Sequence, residues 1–380
     1  MTLKTMRDSP QSWLQRIREL PLGEEKIRLM NVCGGHERSI TMAGLRKVLP
    51  NNVELIPGPG CPVCICPEED VYDAIQLALN HPNVILVAFG DMLHVPVNVP
   101  RREVRSLQQA RAAGADVRPI ASPQEAVTIA LQECDKDVVF FAAGFETTTA
   151  PVAALLAQGV PDNLKVLLSG RRTWPAVKLL LDSEQPGFDA LVAPGHVSAV
   201  WGPEEWGQVA DDYNIPVAVA GFTPESLLAA MYSTLRQKLE GKAFLDNVYP
   251  EVVQPGGNPT AKRFLTQTMQ IGDGKWRGIG TISKSAFELR DAYSNHDARL
   301  RFPAEQTEAR KRAGEMPQGC DCARVVLGKI YPPECKIYGI ACTPRTPVGP
   351  CMVSDEGACR IWWASGVRTS NTDERVKATA

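Results

Sequence analysis

The chain has almost no excess of charge of either sign: 41 Lys and Arg face 43 Asp and Glu, a formal net charge of -2 over 380 residues. That balance gives no general electrostatic pull towards nucleic acid or an anionic membrane, so neither is expected as a partner. Long hydrophobic runs are also missing, and no stretch is long and pure enough to cross a bilayer. The opening MTLKTMRDSPQSW lacks the apolar centre of a signal peptide, so a cytoplasmic location is expected. No Gly-rich phosphate loop of the Walker type is present, which removes that route to ATP use. Finally, no cysteine stands between Cys134 and Cys320.

The cysteines that are present gain meaning from that gap. Cys33, Cys61, Cys64 and Cys66 lie early, Cys134 stands alone, and Cys320, Cys322, Cys335, Cys342, Cys351 and Cys359 crowd the end. In a reducing compartment eleven thiols are poor material for a disulfide framework and better material for metal ligation or redox chemistry. Two separate cysteine-dependent sites are expected.

Length alone argues for two or three domains. Between about residues 28 and 222 a unit recurs: a short apolar run, a glycine-bearing turn, then a helical stretch. The runs are IRLMNVCGG, NVELIPGPG, NVILVAFGD, DVVFFAAGFE, LKVLLSGRR, FDALVAPGH and IPVAVAGFT. Short runs that are apolar on both faces and alternate with helices predict parallel strands covered by helices. Helix starts are marked at Ser122-Pro123 with Glu125 behind, and at Thr223-Pro224, whose helix should stop at Gly241. The expected fold class is α/β: two parallel-sheet domains over 28–135 and 136–240, then an irregular α+β domain built from 1–27 and 241–380. Cys33, His36, Asp91, Glu146 and His196 all fall just beyond predicted strand ends, where open parallel sheets bind ligands. Any one of them could instead cap a helix or satisfy a loop.

The six terminal cysteines lie within forty residues, in loops kept tight by Gly and Pro. Four thiolates hold one zinc ion or one [4Fe–4S] cluster. Zinc leaves a pair unused; a cluster beside a dithiol uses all six. In GPGCPVCICPEE, Cys61 and Cys64 form a CxxC at a predicted strand-to-helix turn, which would lower a thiol pKa. Half of a zinc site is equally compatible with this spacing, although no second pair follows at finger-like distance. Cys66 has no evident role, and Cys134 reads as structural. Cys33 and His36 at the neighbouring strand end are soft ligands suited to iron, copper or zinc; a buried strand cysteine and a satisfied loop histidine are the plain alternative.

Taken together, CGGH at 33–36, GPGCPVC at 58–64, FGD at 89–91, GFETT at 144–148, PGHVS at 194–198 and the terminal CDC…C…CTP…PVGPCMVS.EG.C resemble the HypD family of hydrogenase maturation factors, in order and over nearly the full length. The resemblance implies two Rossmann-like domains and a third domain with a [4Fe–4S] cluster. It implies a scaffold for the Fe(CN)2CO unit of [NiFe] hydrogenases, working with a HypC-like chaperone and accepting cyanide from a HypE-like partner, with HypF upstream. Carried over by position, Cys33 would bind iron with His36 close by, and Cys61 and Cys64 would be a redox pair. Cys320, Cys335, Cys342 and Cys359 would hold the cluster, leaving Cys322 and Cys351 as an adjacent disulfide. Glu146 and His196 would position ligand or partner. Arg38, His94 and Thr223 depart from the residues usual in the family. Two other readings use the same thiols: an iron–sulfur thiol–disulfide reductase that carries no iron, and a zinc-stabilised binding scaffold.

Overall fold

The computed structural model describes residues 9–368. All seven apolar runs form strands: β1 Ile27–Cys33, β2 Val53–Gly60, β3 Val84–Phe89, β5 Asp137–Gly144, β6 Leu164–Arg171, β7 Ala190–Pro194 and β8 Val217–Ala220. Four further strands complete the sheets: β4 Val117–Ile120, β9 Leu245–Asn247, β10 Met269–Trp276 and β11 Gly280–Leu289. One sheet has the order β2-β1-β7-β8-β9 and the other β10-β11-β6-β5-β3-β4. Pairing is parallel throughout except at β10/β11 and β11/β6. The strands of the centre are buried on both faces, as in β3 and β7, which is why their sequences run apolar without alternation.

The expected division at residues 135 and 136 does not match the sheets. β1 and β2 pair with β7–β9, while β3 and β4 pair with β5 and β6. The chain leaves the first sheet after β2, builds the second, and returns at β7. Each apolar run is a buried strand in either arrangement, so local patterning carried no information about which sheet it joins. Two parts assigned to a third domain also belong elsewhere. The β10–β11 hairpin extends the six-stranded sheet through Ala286 and Phe287 against Arg171 and Gly170. The helix Pro10–Arg18, capped by Ser9, packs on the helix Pro224–Leu239, with Trp13 5.5 Å from Tyr232.

Residues 308–368 form the irregular part. Its helix Glu308–Ala313 packs on Glu68–Asn80, its helix Cys322–Val326 on β2, and its helix Ala358–Ala364 on Gly34–Met42. The cysteine-rich segment thus touches elements of both sheets. Among the described residues no helix is long and apolar enough to cross a membrane.

Candidate functional site

Strand ends from both sheets converge on a cavity of about 500 Å³. β1 delivers Cys33, the turn after β7 delivers His196, and Phe222 follows β8; from the other sheet come Thr148, after β5, and Thr173, after β6. Glu356, from the cysteine-rich segment, closes the cavity beside Cys33. The glycines of CGGH allow this closure. A Cβ at Gly34 would lie 2.7 Å from Glu356 Cβ, and one at Gly35 would lie 2.5 Å from Phe222 Cε1. Gly60 pairs with Cys33 across the strands, and a Cβ there would lie 1.7 Å from Val32 O.

Cys33 is half-buried and sits as N-cap of the helix Gly34–Met42. Burial pushes its thiol up to about 12 and Glu356 adds to the rise, against hydrogen bonds from the backbone of His36 and Gly35. His36 is fully buried. Its Nε2 lies 3.2 Å from Ala220 O, which makes Nε2 the donor nitrogen, and Nδ1 has no partner among the described residues. Burial lowers its pKa to about 4, so the ring is neutral near pH 7. The ring packs on Phe222 at 5.0 Å, and it is Phe222, not His36, that lines the cavity. His196 lines the cavity, packs on Phe222 at 4.3 Å and has its pKa lowered by burial.

Cys61 and Cys64 form a disulfide in the short helix Pro62–Ile65, directly after β2. Both are buried, and Cys61 Sγ accepts a hydrogen bond from Cys64 N at 3.2 Å. Pro62, between them, lines the cavity of Cys33. On its other side this short helix packs on Cys322–Val326 and on the turn Pro350–Met352. Those two elements carry Cys322 and Cys351, so the disulfide lies between the cavity and the terminal thiols.

The six terminal cysteines are gathered together. Cys320 Sγ is 3.3 Å from Cys322 Sγ; Cys322 interacts in turn with Cys351, and Cys351 with Cys359. Cys342, whose sulfur accepts from Val348 N, lies within electrostatic range of Cys320 and Cys335. Gly349 makes room: a Cβ there would lie 2.4 Å from Cys322 Sγ and 2.6 Å from Cys320 Sγ. Cys322 and Cys351 are free thiols here, where the family resemblance implied a disulfide. Their sulfurs share contacts with Cys320 and Cys359 as well, so the four form a row rather than an isolated pair. Among the described residues no three His, Cys, Asp or Glu side chains converge on one ion position.

The remaining expected residues separate. Glu146 is fully buried and does not line the cavity; its Oε1 accepts from Thr173 N at 2.8 Å and its Oε2 from Thr173 Oγ1 at 2.7 Å. It therefore holds a residue of the cavity rather than touching a ligand there. Asp91 accepts from Ser354 Oγ at 3.2 Å and lines another cleft together with His94. Arg38 lines the Cys33 cavity and lowers the pKa of Glu356, which burial raises to about 7. Thr223 accepts from Ser226 N and caps Pro224–Leu239, a sufficient reason for its identity. Cys66 is buried beside Ser169, and Cys134 is exposed. Sequence reasoning missed Glu356 and Phe222. Glu356 did stand inside the quoted terminal motif, three residues before Cys359, which was the one available signal.

A family model named HypD, described as "Hydrogenase formation hypA family", matches residues 8–366. The chain is 39% identical over 352 residues to the hydrogenase maturation factor HypD of Azotobacter vinelandii, covering 90% of each chain. It is 38% identical over 350 residues to the protein of the same name from Escherichia coli, covering 90% of this chain and 89% of the other. The HypD of Rhodobacter capsulatus is 38% identical over 347 residues, with 90% of each covered.

Proposed function

The chain belongs to the HypD family of hydrogenase maturation factors, and from that premise we propose that it is the scaffold and redox component on which the Fe(CN)2CO unit of a [NiFe] hydrogenase is assembled. One observation carries this reading: the turn of the Cys61–Cys64 pair adjoins the cavity of Cys33 through Pro62 and packs on the elements that carry Cys322 and Cys351.

Iron is the cargo. Cys33 binds it at the cavity wall, together with a cysteine from a HypC-like chaperone that enters the cavity. Burial keeps the Cys33 thiol protonated near pH 7, so metal binding must expel the proton, and the amides of Gly35 and His36 stabilise the resulting thiolate. Thiolate donation favours electron-rich low-spin iron(II), which holds cyanide and carbon monoxide strongly. The neutral His36 fixes Phe222 from behind, and His196 and Thr173 supply polar groups to the same wall.

Cyanide arrives as a thiocyanate on a HypE-like partner, with HypF acting upstream. Breaking its S–C bond to give thiolate and cyanide takes two electrons. The Cys61–Cys64 dithiol provides two electrons and two protons on closing to the disulfide seen here. Cys322 and Cys351, on the elements packed against that turn, are the dithiol placed to reopen it by thiol–disulfide exchange. The terminal donor set of buried soft thiols, with a glycine where any Cβ would collide with sulfur, fits an iron–sulfur cluster. Cys320, Cys335, Cys342 and Cys359 would hold it, and a bound cluster supplies single electrons to neighbouring sulfur.

The test is anaerobic purification with a HypC-like partner and measurement of iron and acid-labile sulfide. The wild type should carry iron in excess of that matched by sulfide, and Cys33→Ala should lose the excess alone. Equal excess iron in both would contradict the carrier role and favour a reductase that handles no iron.

A further inference from the structure

Arg277 has a wholly buried side chain that is only half satisfied. Its Nη2 donates to Glu68 Oε1 at 2.6 Å and to Pro96 O at 2.8 Å, while Nε and Nη1 have no hydrogen-bond partner among the described residues. A buried donor left unpaired is costly, and the N–H of Nε together with the two of Nη1 call for an explanation. Position supplies one. The backbone N–H of Arg277 donates to Ile65 O at 3.0 Å, immediately after Cys64. The next residue, Gly278, comes so close to the thiol-bearing helix that a Cβ there would lie 3.0 Å from Ala323 Cβ, immediately after Cys322. Arg277 is thus wedged between the Cys61–Cys64 turn and the helix Cys322–Val326. Its charge lies within electrostatic range of Cys66 and of Cys320. The other buried ion pairs nearby are spoken for: Asp70 is held by Arg299, Arg171 and Ser169.

We propose that Arg277 is a positioning residue for the terminal sulfur site: Nε and Nη1 are donors reserved for the sulfur of an iron–sulfur cluster, and the guanidinium charge favours the reduced, more negative form. This rests on the reading that the terminal cysteines hold such a cluster. Hydrogen bonds to sulfur and local charge are among the levers that set cluster potentials. Glu68 accepts from Nη2 and so holds the guanidinium in place, leaving the edge formed by Nε and Nη1 for the cluster.

The test is a midpoint potential of the holoprotein, purified anaerobically and titrated with dithionite under electron paramagnetic resonance detection. Two variants are compared with the wild type. Arg277→Lys keeps a cation for Glu68 but has no donor at the position of Nε and no fixed fork to direct one away from Glu68. The double variant Glu68→Gln/Arg277→Gln removes the buried pair together, so that no lone carboxylate threatens folding. Both should move the potential to more negative values, the double variant by at least a tenfold change in the reduction equilibrium, about 59 mV for one electron. Potentials unchanged in both variants, with iron and sulfide at wild-type levels, would overturn this inference and leave the cluster reading standing. A wild type without iron and sulfide would overturn both.

Discussion

The carboxyl of Glu146 is held by one residue, Thr173, through its amide and its hydroxyl. Burial raises its pKa to about 7 from 4.5, the Thr173 bonds opposing the rise. Between those values the folded protein keeps a proton that the unfolded chain has released, so this group's contribution is fully present below about 4.5 and is lost as pH rises through about 7. The contribution is at most roughly 3 kcal/mol. Urea unfolding at a series of pH values should therefore show a falling component of stability across that window in the wild type. Glu146→Gln, which cannot titrate, should lack it; an identical pH profile in the variant would refute the assignment. The residue also shows how far a sequence can be read. GFETT marked the position at the strand end, but the direction of its side chain depends on Thr173, 27 residues away. Cys33 was legible because its own strand places it. Glu356 was not, because what makes it part of the cavity is the absence of a side chain at Gly34.

Strands that are buried on both faces announce themselves as short apolar runs, and the seven in this chain were legible for that reason. The hairpin β10–β11 was not. Gln270, Ile271 and Asp273 leave much of β10 exposed, and glycines interrupt it, so neither a continuous nor an alternating apolar pattern develops. Residues 1–27 were assigned to the third domain, but the helix Pro10–Arg18 packs elsewhere, since a stripe of apolar residues says that a helix is covered and not by what. Trp13 and Ile17 are fully buried against the helix Pro224–Leu239 and the five-stranded sheet beneath it. Trp13→Ala should cost about 3–5 kcal/mol, read as a lower urea midpoint with an unchanged slope. Because the helix belongs to the five-stranded sheet and not to the cysteine-rich segment, the iron and sulfide contents of the folded variant should match the wild type. A variant that keeps its stability but loses metal would place the helix with the terminal thiols instead.

The chain crosses between the sheets three times, after β2, after β6 and after β9, and the first two crossings organise the site. The first crossing begins with the Cys61–Cys64 turn, and the second begins with Thr173. Both therefore start at the cavity where the carboxyl ends of the two sheets meet, and the cysteine-rich segment caps that junction from the other side through Glu356, Cys322 and Cys351. This arrangement puts three thiol groups from distant parts of the chain on adjoining elements. We propose that Cys33, at the cavity wall, carries iron with its diatomic ligands. The most direct measurement is infrared spectroscopy in the cyanide and carbonyl stretching region, on the anaerobic complex formed with all maturation partners present. The account predicts bands in the wild type that vanish in Cys33→Ala while the iron–sulfur absorption stays. Bands that persist without Cys33, or a folded brown wild-type complex that shows none, would contradict it.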